Sequence, residues 1–271
     1  MNIKELYNYG KQNLIDSHES AILCRELYGF SRTDIIIKGD SVIEDSEKFF
    51  ECIKRRNKGE PLQYILGYEY FDDLKLFVKD GVLIPRADTL ALVDCASELI
   101  GQNYLKGLDL CSGTGVVALA IANRCKNVNI KAIELFETPF ECLLENVKMY
   151  GNGRVIAEQK DIFECFKDYQ DLDFIVSNPP YIESSEIPNL QIEVQNEPHT
   201  ALDGGIDGLD FYKVLVTDWA KKIKKGGFLA LEIGETQAEE LKVLLEKNGF
   251  IDIKVTKDLA GLDRCVVGII A

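Results

Sequence analysis

The run Leu172-Asp173-Phe174-Ile175-Val176 is apolar and β-branched, and it stops at Ser177-Asn178-Pro179-Pro180-Tyr181. Such a run reads as a buried parallel strand. A central strand cannot hold two prolines, because each removes a ladder N–H. The chain must therefore leave the sheet at Asn178. Prolines fix φ near about −65°, so the tip is stiff. It offers one amide side chain, carbonyls with no competing N–H, and an aromatic ring. That set suits a planar –NH2 group. The Asn178 side-chain oxygen and the Pro179 carbonyl can accept its two N–H bonds, and Tyr181 can stack on its plane. Asn-Pro alone is more often only a strand-ending loop, so the surrounding pattern has to decide.

That pattern is an alternation of strands and helices from Gly107 onward, the mark of an open, mostly parallel α/β sheet. Strands are expected at 108–110, 128–133, 155–157, 172–176, 228–233, 251–255 and 265–270. A helix is expected from Leu209 to Lys222, after a long connection over 182–207. Residues 1–60 carry helical stripes, with Leu6, Tyr7, Leu14 and Ile15 on one face and Phe49, Phe50, Cys52 and Ile53 on another. Between the two regions, 61–85 reads as a linker with a β-hairpin turning at Asp72-Asp73. The expected domains are thus a small helical one over 1–60, the hairpin linker over 61–85, and an α/β domain over 86–271.

Composition narrows the chemistry. A net charge of −14 argues against a nucleic-acid substrate gripped through its phosphates. The eight cysteines form no C-x-x-C pair, and there are two histidines, His18 and His199, far apart. Neither a zinc site nor a histidine-based triad has much to build from, and no metal is expected. No apolar run reaches the roughly 18 residues of a membrane span. A cytoplasmic location and no membrane partner are expected.

After the first strand of the alternation, Cys111-Ser112-Gly113-Thr114-Gly115 lets the backbone turn tightly at a helix N-terminus. Glu134 ends the next strand, 21 residues after Gly113, where a carboxylate can accept two ribose hydroxyls. This half is ambiguous. Gly113-x-Gly115-x-x-Ala118 followed by an acidic residue also fits a dinucleotide site, so a dehydrogenase competes on these residues alone. Asp109 favours S-adenosylmethionine, whose amino group a carboxylate there can hold. Asp161 can accept from an adenine amino group, with Ile162 against the ring. Aspartates at strand ends are also often structural. The tip at Asn178 decides between the two, since hydride transfer has no use for a rigid amide-gripping loop and methyl transfer to an –NH2 does.

Several stretches together resemble the release-factor glutamine N5-methyltransferase family (PrmC/HemK). They are Gly59 to Gly67, Gly81 to Arg86, Asp109 to Gly115, Asn178 to Tyr181, Glu197 to Tyr212, Leu231-Glu232-Ile233-Gly234 and Asp258 to Arg264. The resemblance implies a class I, Rossmann-like methyltransferase fold with a seven-stranded, mostly parallel sheet and a helical N-terminal domain that recognises the substrate. It implies a methyl transfer from S-adenosylmethionine to the glutamine of the Gly-Gly-Gln loop of peptide-chain release factors. A ribosomal-protein glutamine or a nucleic-acid amino group is the alternative acceptor, and a cofactor-binding module without methylation is the alternative class. Asn178, Pro179 and Tyr181 are implied to be catalytic, and these three with Pro180 to bind the glutamine. Asp109, Cys111, Ser112, Gly113, Thr114, Gly115, Glu134, Asp161, Ile162 and Asn178 are implied to bind the cofactor. The chain departs from the family pattern in three places. Cys111 stands at the usual first turn glycine, Ala87-Asp88-Thr89 replaces Pro-Glu-Thr, and Glu134 replaces the commoner aspartate.

Overall fold

The computed structural model describes residues 1–271, which fall into two compact units, Met1–Gly67 with Ile192–Asn196, and Tyr68–Gln191 with Glu197–Ala271. The first unit contains α1 (Ile3–Asn13), α2 (Glu19–Tyr28), α3 (Arg32–Ile37), α4 (Glu47–Arg56) and α5 (Leu62–Leu66). Local chemistry sets these ends. Asn2 and Glu5 form a reciprocal capping box on α1, Ser31 and Asp34 form another on α3, and Gly29 closes α2 at φ 75°. Ile3, Leu6, Leu23, Phe49 and Ile53 form the core. Leu62 of α5 joins that core, so the helical unit runs on to Gly67 rather than ending at 60. A five-residue helix is too short to show a stripe, and only packing reveals it.

The second unit opens with the hairpin β1 (Tyr68–Phe71) and β2 (Leu74–Phe77), with Asp72 left-handed at the turn. Then come α6 (Leu90–Ile100), β3 (Leu105–Leu110), α7 (Val116–Arg124), β4 (Val128–Glu134), α8 (Glu137–Tyr150), β5 (Val155–Gln159) and β6 (Leu172–Ser177). The next helix, α9 (Ile192–Gln195), belongs to the first unit, where Glu193 accepts from Arg56 at 3.1 Å and Asn196 donates to the Gly59 carbonyl at 2.9 Å. The chain ends with α10 (Asp210–Val214), β7 (Ile223–Glu232), α11 (Ala238–Lys247), β8 (Phe250–Lys257) and β9 (Asp263–Ile270). The helix expected as one piece over 209–222 is α10 followed by a π-turn, Leu215–Trp219, and a 3-10 turn, Ala220–Lys222. The widened turn carries Trp219, fully buried, whose indole N–H donates to the Ile162 carbonyl at 3.0 Å.

The seven strands lie in the order β5-β4-β3-β6-β7-β9-β8, parallel except that β9 runs against both β7 and β8. In the central strands β3, β6, β7 and β9 both faces are buried, which is why they read as continuous apolar runs. In β6, Phe174 and Val176 enter one core layer with α6 and α7, while Ile175 enters the other with Tyr212, Trp219 and Leu241. Strand order reverses between β3 and β6, so the loops after these strands diverge and leave a crevice at their carboxyl ends. No helix is long and apolar enough to cross a membrane.

Candidate active site

The turn after β3 is built from three left-handed residues, Cys111 at φ 59°, Gly113 at φ 54° and Gly115 at φ 81°. A non-glycine residue held there costs on the order of 1–3 kcal/mol. The surroundings compensate: the Ser112 N–H donates to the Ile133 carbonyl at 3.0 Å and the Ser112 hydroxyl to the Asp109 carbonyl at 2.7 Å. Cys111 thus takes the backbone conformation that a glycine would. Burial pushes its thiol well above the usual range, helped by the Glu134 and Asp109 carboxylates, so it stays neutral. A Cβ on Gly115 would sit 2.5 Å from Leu143 Cδ1, whereas one on Gly113 would meet nothing within 4 Å. Gly115 is there for packing. Gly113 borders open space.

That space is a cavity of about 470 Å³, within the size of small-ligand pockets. Of the residues expected at a cofactor, Cys111, Ser112, Gly113, Thr114, Glu134, Asp161, Ile162 and Asn178 line it. Asp109 and Gly115 do not. Asp109 is 1% exposed, and its Oδ2 accepts from the Ala118 N–H at 3.1 Å while Oδ1 has no partner. Burial raises its carboxyl to about 7. It ties the turn to α7 from behind the cavity wall.

Glu134 lines the cavity with its carboxylate already engaged. Oε2 accepts from the Gly113 N–H at 2.9 Å, and Oε1 from the Leu135 and Phe136 N–H groups at 2.8 and 2.9 Å. A carboxylate has about four lone-pair sites, so one direction stays open instead of two. The longer glutamate folds back onto the backbone that follows it. Asp161 caps its own loop, accepting from Phe163 N–H at 2.8 Å, and Phe136 and Phe163 add aromatic wall.

Opposite the turn, Asn178 and Pro180 line the cavity, and Pro179 and Tyr181 do not. Asn178 donates through Nδ2 to Thr89 Oγ1 at 3.4 Å, which leaves Oδ1 as its acceptor. Tyr181 packs on the core layer that holds Tyr212 and Ile233. Its hydroxyl donates to Glu232 Oε1 at 3.4 Å, and its carbonyl accepts from Gln237 at 3.0 Å. The ring expected to stack on a bound amide is drawn inward by that buried carboxylate.

Sequence reasoning assigned no role to Thr89, Glu232, Arg86 or Glu197. Glu197 is buried, accepts from the Ile84 N–H at 2.9 Å and pairs with Arg86, which lines the cavity. Glu232 is 2% exposed beside Thr89 and Tyr181. A carboxylate at the carboxyl end of an apolar central strand was the available signal for Glu232.

Comparison with known proteins adds to this geometry. A PrmC N-terminal domain matches residues 5–67, and a methyltransferase small domain matches residues 89–203. The chain is 36% identical over 270 residues to a release factor glutamine methyltransferase of Thermodesulfovibrio yellowstonii, covering 98% of this chain and 95% of that protein. A release factor glutamine methyltransferase of Clostridium acetobutylicum is 36% identical over 259 residues, covering 93% and 90%. Among solved structures, the hMettl16 catalytic domain in complex with a MAT2A 3'UTR hairpin aligns with a TM-score of 0.58 at 16% identity, covering 83% of this chain and 81% of that one, a likeness of fold alone.

Proposed function

The chain belongs to the release factor glutamine methyltransferase family, and on that premise we propose that it methylates the side-chain amide nitrogen of the glutamine in the Gly-Gly-Gln loop of a peptide-chain release factor. The observation that carries the reading is one cavity holding both the Cys111–Thr114 turn and the Asn178 amide. The residues fit S-adenosylmethionine as donor. Gly113 lets a ligand approach the backbone, Glu134 and Asp161 put negative charge beside a cation, and Phe136, Ile162 and Phe163 offer apolar surface to a purine. When bound, S-adenosylmethionine supplies a methyl group already activated by its sulfonium.

An amide nitrogen is a weak nucleophile because its lone pair is shared with the carbonyl. The chain's contribution is therefore positioning and electrostatics. Asn178 Oδ1 accepts one N–H of the glutamine amide, which fixes where the nitrogen faces and favours positive charge developing on it. Pro179 and Pro180 keep that acceptor from swinging. The helical unit recognises the release factor, since one glutamine on a mobile loop offers little surface to bind. Incubating the protein with methyl-labelled S-adenosylmethionine and a release factor tests this. Label on the loop glutamine is expected, and none on a factor whose glutamine is replaced by alanine. Label on a ribosomal protein or a nucleic acid instead would overturn it.

A further inference from the structure

We propose that Glu232 is a positioning residue: it takes the Thr89 and Tyr181 hydroxyl hydrogens, and so makes Asn178 present its oxygen, not its nitrogen, to the acceptor. This rests on the functional reading above. Glu232 closes β7, and its ladder partner on β9 is Cys265. Its Oε1 lies 3.4 Å from the Tyr181 hydroxyl, and Oε2 is buried without a hydrogen-bond partner; Thr89 is near enough to stabilise the ionised carboxylate. Thr89, 1% exposed, also meets Asn178 Nδ2 at 3.4 Å. Glu232 thus does not line the cavity, yet it reaches Tyr181 directly and Asn178 by way of Thr89.

The coupling follows from counting hydrogens. A hydroxyl has one hydrogen and two lone pairs. When Thr89 gives its hydrogen to an ionised Glu232, it turns lone pairs toward Asn178, which must answer with its –NH2. When Glu232 is protonated it can donate to Thr89, and the Thr89 hydrogen is released toward Asn178, which then turns Oδ1 inward. The acceptor would be lost from the cavity. A purely structural role does not need this carboxylate, because an unpaired buried oxygen destabilises the fold, and Tyr212 already bonds the Glu232 backbone carbonyl at 2.7 Å.

The groups around Glu232 hold it near the balance point. Burial raises its carboxyl to about 7, and Asp88 adds to that. Thr89, Arg264 on β9 and Tyr181 oppose it. Tyr212 from α10 and Cys265 from β9, with Cys95 of α6 behind Cys265, complete the surroundings.

The test follows the Asn178 side-chain –NH2 signal in nitrogen-15 spectra of the full-length protein, identified by its absence in Asn178→Ala. It should move with a midpoint near pH 7 in the wild type and lose that midpoint in Glu232→Gln. Alongside, wild-type kcat should rise about tenfold from pH 6 to pH 8, as one titrating group requires. Glu232→Gln should flatten that limb and lower kcat by roughly tenfold to a hundredfold, with KM for both substrates within about threefold. Glu232→Asp should keep the limb at a reduced rate. A wild-type Asn178 signal without a midpoint between pH 5.5 and 8.5, or the same midpoint in Glu232→Gln, overturns the proposal. A wild type that shows the titration but methylates no release factor supports the coupling and overturns the functional reading instead.

Discussion

The Ser177 hydroxyl donates to the Leu110 carbonyl at 2.6 Å, and the two residues are register partners at the ends of β6 and β3. One residue further along each strand lie Cys111 and Asn178. This bond therefore sets the spacing between the glycine turn and the amide tip at the point where the two loops part.

Ser177→Ala should cost about 1 kcal/mol of stability, the scale of one hydrogen bond, with more if the buried Leu110 carbonyl stays unpaired. The kcat should fall several-fold through misalignment of Asn178. Urea denaturation and steady-state kinetics read both. A loss of stability with kcat unchanged would show that the tip holds its place without this bond.

Asn178→Ala should leave S-adenosylmethionine affinity nearly unchanged and lower kcat by roughly 10²–10³, the usual effect of removing one preorganised partner. Asn178→Asp keeps an acceptor oxygen and should retain more activity. Tyr181→Phe tests the geometry separately. The hydroxyl sits on Glu232, so the phenylalanine variant should be clearly impaired rather than mild, and Tyr181→Ala worse. Full activity in Tyr181→Phe would mean that the ring alone matters.

Glu134→Ala removes the acceptor for three backbone N–H groups. It should weaken S-adenosylmethionine binding by about 1.5–3 kcal/mol, the scale of hydrogen bonds to a charged group. Calorimetry at constant pH measures this. Unchanged affinity would show that the carboxylate serves the loop alone.

Cys111→Gly replaces a left-handed cysteine by the residue best suited to that conformation. Relief of strain and the greater flexibility of the unfolded glycine oppose each other, so stability should change by less than about 1 kcal/mol and activity by no more than a few fold. Cys111→Val, β-branched at φ > 0, should destabilise markedly. Thermal melts of the pair distinguish a conformational role from a chemical one, and total inactivity of a folded Cys111→Gly protein would point to the thiol.

Burial raises the carboxyls of Asp109 and Glu232 to about 7. A carboxyl raised on folding takes up a proton between its unfolded and folded values. Its contribution is fully present below the unfolded value and lost as pH rises through the folded one. Stability should therefore fall from pH 5 to pH 8. Asp109→Asn keeps an acceptor for the Ala118 N–H and should reduce that fall by about 2–3 kcal/mol. Denaturation curves at the two pH values give the number, and an unchanged slope in the variant would assign the effect elsewhere.

The alternation of strands and helices, the turn at Gly113 and Gly115, and the stiff exit at Asn178 were all legible in the sequence. Each is a local rule: apolar runs of strand length, glycine where φ must be positive, proline where a ladder must stop. What the local rules could not fix is which way side chains face. Asp109 and Tyr181 read as ligand contacts, yet one holds the Ala118 N–H and the other a buried carboxylate. Glu134 read as an acceptor for two hydroxyls, and three backbone N–H groups leave its carboxylate one open direction. Thr89 lies 89 residues before Asn178, and Glu232 lies 51 after Tyr181, and only the fold brings each pair together. Sequence spacing determined the backbone frame because backbone geometry repeats along the chain. Tertiary structure decided the site's hydrogen bonds because a buried donor or acceptor takes whichever partner the fold puts within reach.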